Sequence, residues 1–234
     1  MLKDSFQRVH NYLRISLTDA CNFRCFYCMP DEEVSFSPHS SLMSAEEIYQ
    51  MAKIFVDLGV TKIRLTGGEP LMRKDTTSIL ATLGTLGVKL TITTNGVLLD
   101  RYFDELKGAG IRSLNISLDT LNPMRFLALT KRDHFARVKA NIDEAIQRNF
   151  AVKVNVVVMK GINDQEVNDF VRWTKDVPVH IRFIEFMPFT ENQWLSEKVF
   201  TYQQILERIG EVEPKVSEWL HLEIPYHMVY WQIG

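Results

Sequence analysis

The chain has 234 residues, 46% of them hydrophobic and 24% charged, enough to bury the core of one large domain or two small ones. Its 27 basic and 29 acidic residues give a formal net charge of −2, which excludes a domain that grips nucleic acid by bulk positive charge. Apolar runs such as Val156 to Met159 are too short to span a bilayer, and the polar stretch from Met1 to His10 carries no signal-like apolar segment. A soluble, cytoplasmic protein with no nucleic-acid or membrane partner is expected.

In chain order, the first strand-like run covers 12–17, with Leu13, Ile15 and Leu17 on one side and Arg14 and Ser16 on the other. It feeds a loop that holds every cysteine of the chain: Cys21, Cys25 and Cys28. Ser44 and Glu47 have the spacing of a capping box, and the helix they open puts Ile48, Met51, Ala52 and Phe55 on one face before Gly59 stops it. A second strand, 61–66, sets Ile63 and Leu65 against Lys62, Arg64 and Thr66, then runs into Gly67-Gly68-Glu69-Pro70 and a helix over 75–86. The third, 90–94, sets Leu90 and Ile92 against Thr91 and Thr93, and Asn95-Gly96 signals a turn before a helix over 98–108. The fourth, 113–118, sets Leu114, Ile116 and Leu118 against Asn115 and Ser117, with Asp119 just beyond, and a helix over 134–148 follows. The fifth, 152–158, sets Val152, Val154 and Val156 against Lys153 and Asn155, ahead of a helix over 165–175. The sixth, 179–184, sets Ile181 and Phe183 against His180 and Arg182. A second capping box, Thr201 and Gln204, opens a helix with Ile205, Leu206 and Ile209 on its apolar stripe and Gly210 at its stop. The aromatic-rich end (Trp219, Tyr226, Tyr230, Trp231) reads as a final strand or a tail.

Six β–α alternations imply an α/β protein with a parallel sheet. A doubly wound sheet is apolar on both faces, whereas each strand here has one polar side. The pattern fits an incomplete (β/α)6 TIM-like barrel whose interior is a polar cavity. Arg14, Lys62, Arg64, Lys153 and Arg182 all take the polar parity, and no acid joins them within the six strands. Such a face suits a polyanion such as a nucleoside triphosphate.

Three cysteines exclude a closed disulfide framework, and their confinement to eight residues argues against use as scattered core fillers. Three thiolates suit a 4Fe–4S cluster with one iron left open. The alternative is a structural zinc site completed by a residue such as His39. The Gly-Gly turn after the second strand would let a ligand approach the backbone closely.

Taken together, these motifs resemble the radical S-adenosylmethionine (SAM) superfamily. Within it, the chain resembles the GTP 3′,8-cyclases of molybdenum cofactor biosynthesis. The likeness is carried by 12–16, 18–30, 64–71, 93–96, 115–119, 153–155 and 182–188, in order and at the right spacing, and it runs from about Tyr12 to Ile209. It implies that Cys21, Cys25 and Cys28 hold one 4Fe–4S cluster whose open iron chelates SAM. Reductive cleavage of SAM would give a radical that takes the 3′ hydrogen of GTP, so that the ribose closes on C8 of guanine. Residue by residue, it implies SAM contacts at Tyr27 (through its backbone), Gly68, Ser117 and Met187. Arg14, Arg64, Thr93 and Lys153 match GTP contacts, with Arg182 a further candidate. An electron donor such as flavodoxin or ferredoxin is implied, and a homodimer is compatible with it. Residues 1–200 would form the partial-barrel core, and 201–234 a remnant of the C-terminal region. The second cysteine triplet of these enzymes has no counterpart here, so a fragment with impaired turnover is expected. A single-cluster radical SAM enzyme acting on another anionic substrate, or a non-catalytic metal-binding domain, are the other readings.

Overall fold

The computed structural model describes residues 3–29, 35–187 and 195–210, and the backbone of 221–223 and 230–232. Pro30 and Pro188 of the motifs above, and Trp219 and Tyr226 of the aromatic end, lie outside the described residues.

Six strands form one sheet in sequential order: β1 (Tyr12–Ser16), β2 (Lys62–Thr66), β3 (Lys89–Thr94), β4 (Ser113–Ser117), β5 (Ala151–Val158) and β6 (Val179–Glu185). The β1–β2, β2–β3 and β5–β6 pairs are parallel. A doubly wound sheet reverses its strand order at a switch point; this one does not, and the order is that of a (β/α)6 array. The helices are α1 (Ala45–Asp57), α2 (Thr76–Gly84), α3 (Phe103–Gly108), α4 (Pro123–Thr130), α5 (Phe135–Gln147), α6 (Val167–Asp176) and α7 (Tyr202–Gly210). Two short strands, β7 (His221–Glu223) and β8 (Tyr230–Gln232), pair antiparallel near the end of the chain.

Both capping boxes form. Ser44 N–H donates to Glu47 Oε2 (2.7 Å) while Glu47 N–H donates to Ser44 Oγ (3.2 Å). Thr201 N–H donates to Gln204 Oε1 (2.9 Å), and Gln204 N–H to Thr201 Oγ1 (3.3 Å). Helix α4 has no counterpart among the sequence expectations. It is only eight residues long, too short to show a clear period. Its start is set by Asn122, whose side chain accepts from Arg125 N–H, with Pro123 at the first helical position. Burial of Phe126 and Leu129 then supplies what propensity does not.

The alternation of β1, β2, β5 and β6 is reproduced in their burial, while on β3 and β4 the polar-parity Thr91 and Asn115 are buried as well. Ile63, Leu65, Ile92, Leu114, Ile116, Val152, Val154, Ile181 and Phe183 are all fully buried, whereas Lys62, Arg64, Thr93, Lys153, His180 and Arg182 are half-buried. By internal packing the chain forms two compact units. The first comprises Met1–Asn22, Ser35–Asn115 and Asn141–Ala151. Its core joins the apolar sides of β2 and β3 to Ile79 and Leu83 of α2, Leu106 of α3, and Phe103, whose ring lies tilted 5.7 Å from that of Phe150. The second comprises Phe23–Val34, Ile116–Ala140 and Val152–Gly234. There Phe170 of α6 meets Phe183 of β6 edge-on at 6.2 Å. A satellite cluster of Leu129, Met159 and Phe186 gathers Phe26, Tyr27, Val157 and Ile162 around it. Among the described residues no helix is long and apolar enough to cross a membrane.

Candidate functional site

In the first unit, the loops that leave β1 and β2 are stitched together. Leu17 N–H donates to Thr66 O (2.9 Å), Gly68 N–H to Thr18 O (2.7 Å) and Glu69 N–H to Ala20 O (2.8 Å). A Cβ on Gly67 would lie 2.6 Å from Thr18 O, and one on Gly68 would overlap the carbonyl oxygens of Asp19 and Ala20. The close approach that these glycines permit is therefore, first of all, that of the chain's own backbone.

Glu69, 0% exposed, organises the next loop. Its carboxylate accepts from Asn95 N–H (2.7 Å), Thr94 Oγ1 (2.8 Å) and Leu71 N–H (3.1 Å). Burial pushes it up to about 7 despite the pull of those donors. Asn95, held by that contact, accepts from Val97 N–H through Oδ1 (3.1 Å). Its Nδ2 donates to Asn22 Oδ1 (2.6 Å) and reaches Cys21 Sγ at 3.8 Å. The Asn141 amide donates to Gly96 O (2.7 Å) and fixes the same turn.

The basic residues of polar parity in this unit, Arg14, Lys62 and Arg64, lie on β1 and β2. Arg14 and Arg64 are register partners, Arg14 exposed. Lys62 Nζ and the Arg64 guanidinium sit 4.9 and 5.6 Å from the centre of the Tyr12 ring. On β3 and β4, Thr93 Oγ1 and Asn115 Oδ1 are buried without a hydrogen-bond partner among the described residues. Buried oxygens left unsatisfied call for a ligand or water.

The rest of the cysteine loop belongs to the second unit. Arg24 N–H donates to Thr130 O (2.9 Å) and Phe26 N–H to Leu129 O (3.2 Å), docking the loop on the end of α4. Cys28 and Met29 N–H both donate to Cys25 O, at 2.9 and 2.8 Å, and close a turn between two of the thiols. The ring of Tyr27 meets Phe26 at 5.7 Å and Phe186 at 6.4 Å, and its hydroxyl donates to Asp119 Oδ2. The sequence expectation for Tyr27 rested mainly on its backbone; its side chain also makes this contact. Asp119 Oδ1 accepts from Val157 N–H (2.8 Å), and burial lifts its carboxyl to about 6. Burial, with Asp119 nearby, pushes the Cys28 thiol up. The Tyr27 phenol is raised far above its ordinary value by burial and by the negative charge of Asp119, Cys25 and Cys28.

On β5 and β6, Lys153 faces His180 and Asn155 faces Arg182 in register. Burial first, and then the charges of Lys153 and Arg182, hold His180 below its ordinary value. Asn155 Oδ1 is another buried oxygen without a partner among the described residues. Ser117 is half-buried at the end of β4, and Met187, 39% exposed, follows β6.

Among the described residues no three His, Cys, Asp or Glu side chains converge closely enough to hold a metal ion. His39, the candidate fourth ligand of a zinc site, is exposed. The donor chemistry of the loop nonetheless fits a sulfur-ligated cluster. It offers three thiols within eight residues of sequence, and an amide N–H at Cys21 Sγ that a metal-bound thiolate would accept better than a thiol.

Residues 15–174 match the family model of the Radical SAM superfamily. The chain is 50% identical over 220 residues to the mitochondrial GTP 3′,8-cyclase of Arabidopsis thaliana, covering 93% of this chain and 56% of that protein. It is 48% identical over 212 residues to the GTP 3′,8-cyclase of Thermodesulfovibrio yellowstonii, covering 89% of this chain and 66% of that one. It thus spans between half and two thirds of these relatives' own length. Among solved structures, Streptococcus suis SuiB bound to S-adenosylmethionine superposes with a TM-score of 0.73 at 17% identity, over 89% of this chain and 48% of that one, a likeness of fold. The site loops, the strand order and the family match lead to one conclusion: the chain belongs to the Radical SAM superfamily, whose cofactors are a 4Fe–4S cluster and SAM.

Proposed function

We propose that this chain carries the SAM-cleaving part of a GTP 3′,8-cyclase, which converts GTP to 3′,8-cyclo-7,8-dihydro-GTP in molybdenum cofactor biosynthesis. The observation that carries the reading is the identity of 48 to 50% to two proteins of that name over about nine-tenths of the chain. The strand faces support it. In one unit Arg14, Arg64 and Thr93, and in the other Lys153 and Arg182, share the polar parity with buried oxygens that lack partners among the described residues.

Cys21, Cys25 and Cys28 would hold the cluster, and Tyr27, Gly68, Ser117 and Met187 would bind SAM. When bound, the cluster supplies the single electron needed to cleave SAM reductively. The chain's own work is binding, orientation and charge. Arg14, Arg64, Lys153 and Arg182 neutralise the triphosphate. The hydroxyl of Thr93 hydrogen-bonds the nucleotide. The Tyr27–Asp119 pair keeps the turn between Cys25 and Cys28 in place. In this reading residues 1–200 are the partial-barrel core and 201–234 a remnant of the C-terminal region. The electron comes from a flavodoxin or ferredoxin, the chain works as a homodimer, and its compartment is the cytoplasm.

The test is anaerobic reconstitution with iron and sulfide, reduction, and incubation with SAM with and without GTP. A reducible cluster seen by electron paramagnetic resonance (EPR), and 5′-deoxyadenosine formation that GTP stimulates, are expected. Zinc with no reducible cluster would sink the reading, and SAM cleavage indifferent to GTP would point to another anionic substrate. Lys153→Ala should weaken GTP binding about tenfold, the loss of one charge-assisted contact, and leave the cluster spectrum intact.

A further inference from the structure

We propose that the side-chain amide of Asn95 is a hydrogen-bond donor to the sulfur of Cys21 in the cluster-loaded protein, held in place by Glu69 and Val97, and that it raises the cluster's reduction potential. The inference rests on the cluster reading above and concerns a residue that the GTP and SAM contacts leave unused.

The amide has one orientation open to it. Val97 N–H can only donate, so the atom it meets at 3.1 Å is Oδ1, and Nδ2 faces the cysteine loop. One hydrogen of Nδ2 goes to Asn22 Oδ1 at 2.6 Å, and the group also lies 3.8 Å from Cys21 Sγ. In the metal-free chain the Cys21 thiol can in turn donate to Asn22 Oδ1, at 4.0 Å. As a metal ligand Cys21 has lost that proton and can only accept, and Asn95 already stands beside it as a donor. The backbone of Asn95 cannot drift, because its N–H is fixed by Glu69 Oε2 at 2.7 Å and the turn after it by the Asn141 amide. Asn95 is itself 8% exposed, so little water competes for the contact. An N–H donor withdraws electron density from a ligating sulfur and stabilises the more negative, reduced cluster, so hydrogen bonds to sulfur set cluster potentials. Glu69 acts through Asn95 and is a positioning residue.

The experiment is an EPR-monitored redox titration of the reconstituted protein, wild type against Asn95→Leu, Asn95→Asp and Glu69→Gln. The midpoint should move to more negative values in Asn95→Leu and further in Asn95→Asp, which adds charge. Glu69→Gln loosens the amide but also removes a negative charge, so it should move the midpoint less than either Asn95 variant. SAM cleavage driven by dithionite should fall severalfold in the Asn95 variants and recover with titanium(III) citrate, a stronger reductant. An unchanged midpoint in both Asn95 variants at full cluster content overturns the proposal. So does a slowed cleavage that the stronger reductant fails to restore. Loss of the cluster from all three variants would make Asn95 a structural residue only and overturns it too. Failure of the wild type itself to form a reducible cluster is a different result, one that removes the family reading instead.

Discussion

Each compact unit places one buried carboxylate where its part of the cysteine loop is held, and the two are used differently. In the first unit Glu69 collects two backbone N–H groups and a hydroxyl, ties the turn after β2 to the turn after β3, and reaches the thiols only through Asn95. In the second, Asp119 collects one backbone N–H and the Tyr27 hydroxyl, and its charge acts directly on Cys28. Glu69 is thus a scaffold for backbone, and Asp119 a clamp on a side chain of the loop itself. Both are lifted by burial, to about 7 and about 6. The shared lesson is that a carboxylate is tolerated in a core when it gathers donors that would otherwise go unpaired.

That difference can be broken from either side. Glu69→Ala should have the largest effect. It strands three donors in a fully buried place, for a loss of about 4 kcal/mol in denaturant-induced unfolding. Next comes pH. The folded value of Glu69 lies above its ordinary 4.5, so the folded state binds that proton more tightly. Its contribution is full below about 4.5 and is lost as pH rises toward 7, roughly 3 kcal/mol across the window. Unfolding curves between pH 4.5 and 7 should show that slope in the wild type and a flatter one in Glu69→Gln. The smallest change belongs to the second unit. Tyr27→Phe removes one hydrogen bond to a carboxylate, about 2 kcal/mol, and keeps the ring packed on Phe26 and Phe186. It should speed alkylation of Cys25 and Cys28 in the metal-free protein while leaving Cys21 unaffected. Equal acceleration at all three thiols would show that the two carboxylates hold the loop as one piece.

The strands were legible because their signal is local and repeated. The alternation of apolar and polar residues reappears as alternating burial on β1, β2, β5 and β6, and the six observed strands match the expected ones within one or two residues. The cysteine loop, the Gly-Gly turn and the basic parity of Arg14, Lys62, Arg64, Lys153 and Arg182 were legible for the same reason. Helix α4 escaped because eight residues give too few turns for a period. The helix expected over 98–108 divides into a tight turn at Leu99–Arg101 and α3 at Phe103–Gly108, and hydrophobic spacing alone cannot tell those two apart.

The partnerships around the thiols were a different matter. Tyr27 and Asp119 stand 92 residues apart, Glu69 and Asn95 26, and Cys21 and Asn95 74. No periodicity links such pairs, because they are made only when strand ends are brought side by side. The sequence by itself determined the class of fold, the faces of its strands, the family and the cysteine loop, since each is written in local spacing and residue type. Only the tertiary structure decided what Gly67 and Gly68 make room for, which buried oxygens lack partners among the described residues, and which carboxylate and which amide stand next to a cysteine. Those depend on where the chain folds back on itself, and burial there changes the cost of every charge and hydrogen bond.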